Sequence, residues 1–562
     1  MPSSVLILGA GINGAALARE LALNGVGSIV VDVHDIASGA TAHSSRLIHG
    51  GLRYLEYGEF DLVRESLEER TRWLRLAPQF VRPLRLFIPI RNRRGGLLAG
   101  ARRFLGLKPR RAGSPRPKSR GLWAIRVGLW LYDVYAHDPT LPRRRLYKSR
   151  SPEVVRVDSA KYRWMFSFSD AQIVYPERFT LALLEDARHI AEAAKTPFQV
   201  FTYHRAALDG TTANISPLER PGDIVHSFQP SAIVNATGAW VDRTLAALHV
   251  PSKPLMGGSK GSHFITFQES LCGRLAGRAI YVEAADGRPV FVLPFGQGTL
   301  VGTTDLPFID DPSTAVATPE ELQYLVDAVN DLFPDLQLST ADVALHYSGV
   351  RPLPATGPET PAAVTRRHWL EPNAESPIPL YSIIGGKLTT CRSLAEEAAG
   401  TILARLGLDH KLNSRDRPLP GGESYPREPT ALTTEWDRIA ERFSLARASI
   451  EAIWPLVGTR TESILEAASR APGGLDTACL PGIALPRGFV RWIIANEWAT
   501  KLEDLIERRL MLLYHPHLSR TCLDDLARLL VEAGRLAASD VSAAVEKIIA
   551  RLSEHFGKRI EP

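Results

Sequence analysis

The chain of 562 residues, 45% hydrophobic and 23% charged, exceeds what one core buries and divides into two or three domains of ordinary globular composition. Its four cysteines, Cys272, Cys391, Cys479 and Cys522, form no CxxC pair, which excludes a disulfide scaffold and argues against a cysteine-held zinc or iron–sulfur site. The net charge of +6 conceals an asymmetry: residues 91–150 carry 17 Lys/Arg against Asp133 and Asp138, while the rest holds 50 bases and 59 acids.

Residues 5–8 (VLIL) read as a buried strand, 15–23 as a helix and 29–32 (IVVD) as a second strand, a βαβ unit. The apolar start is broken by glycines, follows no basic segment and reaches no uninterrupted run of about 18 apolar residues, so neither a secretory leader nor a membrane span is expected. A cytoplasmic location is the expectation. Gly9-Ala-Gly11-Ile12-Asn13-Gly14 sits between strand and helix, and Asp32 closes the second strand. In a dinucleotide fingerprint Gly9 permits the tight turn, Gly11 admits a pyrophosphate and Gly14 packs helix on strand. The helix N-terminus then faces the phosphates, and Asp32 is suited to ribose hydroxyls.

SSRLIHGGLRYLEYGEF (44–60) places Gly50 and Gly51 directly before Arg53 and Tyr54, as where backbone must pass close to something large and flat. An amphipathic helix (61–76) follows, then the basic segment. There Leu97, Leu98, Ala101, Phe104 and Leu105 share one helical face, and LWAIRVGLWLYDVY (122–135) is aromatic but too short to span. Basic residues beside an amphipathic stretch suggest peripheral attachment to an anionic membrane surface, at about 1 kcal/mol per engaged cation; a solvated basic loop is the alternative. A helix over 180–200 leads into the strands of FQVFTYHRAAL, and SAIVNATGAWVD (231–242) closes a strand on Ala-Thr-Gly. Residues 260–305 read as an antiparallel sheet, followed by a helix over 319–333. Residues 412–429 read as a linker, and the remainder as a separate α-helical domain. GGSKG and GQGTLVG lie among strands and open no helix, so one nucleotide is expected, and FAD is favoured over NAD.

The motifs LGAGINGAALA, SSRLIHGGLRYLE, VNATGAW, KGSHF, VGTTD, YSGVRPL and GGKLTT occur here in one order. With them the chain resembles the FAD-dependent glycerol-3-phosphate dehydrogenases of the aerobic, quinone-linked type, from about residue 4 to 400 and more loosely to 555. The resemblance implies an α/β plus antiparallel-β architecture: a discontinuous FAD-binding domain of glutathione-reductase type (1–80, 151–255 and 345–410), the basic, membrane-contacting segment (81–150), an antiparallel substrate domain (256–344), a linker (411–429) and a C-terminal helical domain (430–562). It implies oxidation of sn-glycerol 3-phosphate to dihydroxyacetone phosphate by hydride transfer to FAD, electrons passing to membrane quinone at the inner face of the cytoplasmic membrane, and a homodimer. The alternative is an oxidase that uses oxygen and forms hydrogen peroxide.

Matched motif by motif, the expected flavin contacts are Gly9, Gly11, Ile12, Asn13, Gly14, Asp32, Thr41, Ser44, Ser45, Leu47, Gly50, Gly51, Ala236, Thr237, Gly238, Trp240, Gly386, Lys387, Leu388 and Thr389, with Gly50 and Gly51 beside the isoalloxazine ring. Substrate falls to Arg53, Tyr54, His263, Arg351 and Arg366, the phosphate to Arg366 assisted by Arg53. Arg351 and Lys387 are expected to stabilise negative charge near the reacting carbon. His263 and Arg351 are rival candidates for the general base. Asp32 stands where the family commonly has glutamate, and Ala42-His43 and Arg46 stand where small hydroxyl residues and lysine are common.

Overall fold

The computed structural model describes residues 4–91, 132, 138, 140–284, 286–355 and 367–561. Strand β1 (Ser4–Leu8), helix α1 (Ile12–Leu23) and strand β2 (Gly27–Asp32) form the N-terminal unit. A six-stranded sheet runs in the order Trp369–Asn373, Leu380–Ile384, Ala232–Asn235, β1, β2, Phe198–Thr202. Its outermost pair, Trp369–Asn373 with Leu380–Ile384, is antiparallel and all other pairs are parallel. Both faces are covered, which is why the central strands VLIL, IVV and AIV read as continuous apolar runs. Val5, Ile7 and Val30 meet α1 and the helices Pro176–Ala194 and Cys391–Arg405. Leu6, Leu8, Ile29 and Val31 meet Ala213 and Ile215 of a three-stranded antiparallel sheet and the helix Val241–Ala247.

The second large sheet has ten strands among the described residues. Met256–Thr266 and Leu345–Pro354 pair antiparallel over their whole common length, from Met256↔Pro354 to Ile265↔Leu345. Val81–Ile90 and Trp164–Ile173 do the same. The sequence-based division puts 345–410 and 151–255 in the FAD-binding unit and 81–150 in the basic segment; the strands Leu345–Pro354, Trp164–Ile173 and Val81–Ile90 belong instead to the ten-stranded sheet, which is antiparallel except where Val81–Ile90 runs parallel to Ala279–Glu283. Local pattern marks a strand, but its partner lies scores of residues away. Most of the basic segment lies outside the described residues. The fold class, a parallel-sheet nucleotide domain with an antiparallel sheet and C-terminal helices, is as expected.

The stretch expected to be a linker is packed. Leu419 is buried and its N–H donates to Leu76 O at 2.9 Å, and Arg417 pairs with Asp186 at 2.6 Å. The helices that follow, from Pro429–Phe443 to Val541–Phe556, are not an appendage. Ile439, Trp454 and Leu523 share one core with Leu84, Phe166, Phe168 and Tyr347 of the ten-stranded sheet, and Glu497 forms a buried ion pair with Arg178. Among the described residues no helix is long and apolar enough to cross a membrane.

Candidate active site and cofactor cleft

A cavity of about 680 Å³ opens at the carboxyl ends of β1, β2 and Ala232–Asn235 and extends to His263, Arg351 and Lys387, the position where open α/β sheets hold ligands. Packing forces the glycines of its turn. Gly9 has φ +103, and a Cβ there would lie 2.7 Å from Ala236 O; a Cβ on Gly14 would lie 2.0 Å from Gly9 O. Ala10 N–H and His34 N–H donate to the two carboxylate oxygens of Asp32 at 2.7 and 2.8 Å. Burial raises the Asp32 carboxyl against those two hydrogen bonds. Each of its oxygens keeps a second lone pair for a hydroxyl donor.

Helix α1 starts at Gly11 with no side-chain cap and no acid in its first turn, so its dipole and N–H groups face the cavity wall. Thr41 Oγ1 accepts from Ile12 N–H at 3.1 Å, which draws the loop after β2 across the helix start. Asn13 lines the cavity and its Oδ1 is buried without a partner. An orphaned amide oxygen, the N–H groups of a helix start whose cap residue is a glycine, and a carboxylate at the end of β2 are together the donors and acceptors that a flavin dinucleotide requires. The residues present fit FAD.

At the other end His263, on Met256–Thr266, is almost fully buried. Its Nε2 lies 2.9 Å from Ser45 Oγ, and its ring stacks on Tyr347 at 4.9 Å and 21°. Tyr347 Oη in turn donates to Ser44 O at 2.9 Å. Gly302 makes room for the imidazole, since a Cβ there would sit 2.1 Å from its Cδ2. Burial, then the charges of Arg351 and Arg46 and the neighbouring His43, hold the His263 pKa well below its ordinary value. It is therefore neutral at physiological pH, and the burial and neighbouring cations that keep it so also oppose its protonation.

Arg351 faces Ser259 across the strand pair. It donates through Nη1 to Asp305 Oδ1 at 3.0 Å and Ser259 Oγ at 3.3 Å, and through Nη2 to Thr303 Oγ1 at 2.8 Å and Thr304 O at 3.1 Å. Gly261 is required beside it, a Cβ there lying 2.2 Å from Nη2. An arginine so held is a fixed cation. Lys387 follows Gly385 and Gly386, both in left-handed conformation at φ +74 and +97. Its Nζ lies 4.0 Å from the centre of the Tyr54 ring and 3.3 Å from Ser66 Oγ.

The cavity thus brings together Gly9, Gly11, Ile12, Asn13, Asp32, Thr41, Ser44, Ser45, Tyr54, Ala236, Thr237, Gly238, Trp240, His263, Arg351, Gly386, Lys387 and Leu388. It is lined without Gly14, Leu47, Gly50, Gly51 and Thr389. Gly14 serves the turn from behind. Leu47 pairs with Gln172, and Thr389 Oγ1 accepts from His49 N–H at 3.1 Å.

The paired glycines answer to side-chain packing. A Cβ on Gly50 would lie 2.6 Å from Leu67 Cδ2, and Gly50 N–H donates to Tyr132 Oη at 2.9 Å. Gly51, at φ +76, caps the 3₁₀ turn Leu52–Tyr57, and a Cβ on it would strike the Tyr54 ring at 2.2 Å. Gly51 thus seats Tyr54, which does line the cavity. Arg366 and the side chain of Arg53 lie outside the described residues. Sequence reasoning assigns no role to Thr303, Asp305 or Tyr347. VGTTD and YSGVRPL contain all three, but only strand register shows which groups meet Arg351 and His263.

A family model for FAD dependent oxidoreductases matches residues 4–392, and a model for the C-terminal domain of alpha-glycerophosphate oxidase matches residues 412–541. The glycerol-3-phosphate dehydrogenase of Synechocystis sp. is 33% identical to this chain over 519 residues, 90% of this chain and 88% of that one. The D-erythritol 1-phosphate dehydrogenase of Brucella abortus is 31% identical, over 90% of this chain and 93% of its own length. The crystal structure of glycerol-3-phosphate dehydrogenase from Bacillus halodurans complexed with FAD has the same fold, with a TM-score of 0.69 at 19% identity over 98% of this chain and 95% of that one.

Proposed function

This chain belongs to the FAD-dependent glycerol-3-phosphate dehydrogenase family, and on that premise we propose that it oxidises sn-glycerol 3-phosphate to dihydroxyacetone phosphate and delivers the electrons to a membrane quinone. The observation that supports this most is the pairing, in one cavity, of a neutral buried His263 and a fixed Arg351 cation with a dinucleotide-binding turn.

Bound FAD supplies the two-electron acceptor for the hydride of the substrate's C2. The chain supplies the rest. Arg366, assisted by Arg53, holds the phosphate, a dianion best met by planar bidentate donors. Tyr54 lines the substrate side, and Lys387, its Nζ 4.0 Å from the centre of that ring, stabilises negative charge near the reacting carbon. The imidazole of His263 takes the proton of the C2 hydroxyl, its plane set by Tyr347 and its Nε2 by Ser45. Of the two rivals for base, the neutral histidine is the better acceptor, and Arg351 stabilises the alkoxide as its proton leaves. A quinone acceptor places the enzyme at a membrane, and the 17 cations of residues 91–150 suit peripheral attachment to its anionic inner face from the cytoplasm.

Oxygen is the competing acceptor, favoured by the likeness of residues 412–541 to an oxidase's C-terminal domain, and a longer polyol phosphate is the competing substrate, favoured by the Brucella relative. Steady-state turnover of the purified enzyme separates them. We expect kcat/KM to be highest for glycerol 3-phosphate with a soluble quinone analogue, with no stoichiometric peroxide. Peroxide matching product one for one would establish the oxidase, and a higher kcat/KM for D-erythritol 1-phosphate would reassign the substrate.

A further inference from the structure

The C-terminal helices contribute no residue to the cavity lining, yet they grip the loop that does. Between β2 and the strand Leu47–Ile48, this loop supplies Ser38 to Thr41 and His43 to Ser45 to the cavity. At its start the fully buried Asp35 accepts from Arg509 Nη1 and Nη2 at 2.6 and 2.8 Å and from Arg508 Nε at 2.5 Å. Both arginines stand in a π-helical turn, Leu505–Arg509. The consecutive charged residues Glu507, Arg508 and Arg509 of this turn are all buried, each in an ion pair. Burial would raise the Asp35 carboxyl, but the Arg509 and Arg508 charges overcome it and hold it at about 2.

At the other end Arg46, fully buried and in left-handed conformation at φ +55, donates to both oxygens of Glu177 at 2.6 and 3.1 Å. It also donates to Tyr514 Oη at 2.5 Å, to Val174 O at 2.8 Å and to Ala42 O at 3.1 Å. Tyr514 lies a few residues beyond the π turn. Between these anchors His43 packs against Phe556 of the last helix at 6.2 Å. The loop's working groups sit between the same anchors: Thr41 on the N–H of Ile12, and Ser45, next to Arg46, on His263. An ion pair of this depth carries a heavy desolvation cost, and apolar side chains would pack the domains together as well.

We infer that residues 505–514 of the C-terminal domain are a positioning element of the flavin site, fixing the cofactor loop at Asp35 and Arg46 so that FAD retention and the Ser45–His263 contact depend on the docked domain. Asp35, Arg46, Arg508, Arg509 and Tyr514 touch no reacting atom; they act through Thr41 and Ser45. The inference rests on FAD as cofactor and on His263 as the group that Ser45 orients.

The test is FAD release, followed by flavin fluorescence after dilution of the holoenzyme. Tyr514→Phe removes one hydroxyl and leaves the ring against Phe295 at 5.1 Å and Arg46 at 4.7 Å, so its fold is retained. We expect its FAD dissociation constant to rise by roughly tenfold, the scale of one lost hydrogen bond to a charged group. The visible flavin spectrum should shift, and kcat should fall while KM for glycerol 3-phosphate stays within about twofold, since uniform substrate binding is untouched. Asp35→Asn should release FAD faster still, and so should Arg46→Lys, which keeps the charge but loses the fork on Glu177 that Tyr514→Phe leaves intact. Should Asp35→Asn fail to fold, Tyr514→Phe decides. Folded variants with the wild-type dissociation constant and flavin spectrum would overturn the inference. FAD release is followed without substrate, so its outcome does not depend on whether glycerol 3-phosphate is what the enzyme oxidises.

Discussion

Replacing Arg351 by methionine should lower kcat/KM for glycerol 3-phosphate by roughly 10²–10³-fold, most of it in kcat, the scale observed when one preorganised donor to a developing oxyanion is removed. The guanidinium lines the cavity, and four hydrogen bonds to Asp305, Ser259, Thr303 and Thr304 hold it in place. It therefore needs no reorganisation when charge develops on the substrate oxygen. Methionine keeps most of the volume and deletes the charge. The Asp305 side chain left behind is 20% exposed and is able to rehydrate, so the fold and FAD content should survive. Arg351→Lys should recover only part of the loss, because an ammonium restores the charge but not the planar fork that reaches Asp305 and Thr303 together. The check is steady-state kinetics on variants with matched FAD content. Turnover of Arg351→Met within about threefold of wild type would remove Arg351 from the chemistry.

Gly14→Ala should destabilise the protein by about 1–3 kcal/mol or more and empty it of FAD, because the new methyl has nowhere to go. It would sit 2.0 Å from the carbonyl oxygen of Gly9, and Gly9 is itself pinned at φ +103 with only 2.7 Å between its own virtual Cβ and Ala236 O. The turn is thus wedged between α1 and the end of Ala232–Asn235, and relief of the clash must move the backbone that meets the pyrophosphate. Gly25→Ala is the matched control. Gly25, unlike the helical Gly14, has positive φ, at +73, and nothing within 4 Å of its virtual Cβ, so alanine there adds only backbone strain of about 1–2 kcal/mol. Thermal melts and the flavin-to-protein absorbance ratio measure both effects. A Gly14→Ala protein with full FAD and an unchanged Tm would contradict the packing argument.

What the residues alone make legible is local. The β1–α1–β2 unit and Asp32 at its close follow from apolar runs, glycine spacing and one acid at a fixed offset, and the family and its cofactor follow from motifs carried in order along the chain. Long-range pairing is not legible. Nothing near Leu345 says that this strand runs beside Met256–Thr266, yet that register is what sets Arg351 opposite Ser259. The glycines at 50 and 51 stand out for the right reason, since both positions reject a side chain. The objects they accommodate, Leu67, Tyr132 and Tyr54, come from packing that no spacing rule describes. Arg46 stands out in the sequence only as a departure from a lysine-bearing pattern. Its partners Glu177 and Tyr514 lie 131 and 468 residues away, beyond the reach of any periodicity.

The central claim is that one cavity holds FAD beside a site that oxidises glycerol 3-phosphate. Anaerobic titration of the purified holoenzyme tests it most directly. Stepwise glycerol 3-phosphate should bleach the absorption band of the oxidised cofactor to completion, and a quinone analogue added afterwards should restore it. A band that persists at saturating glycerol 3-phosphate, in protein carrying its full complement of FAD, would contradict the account.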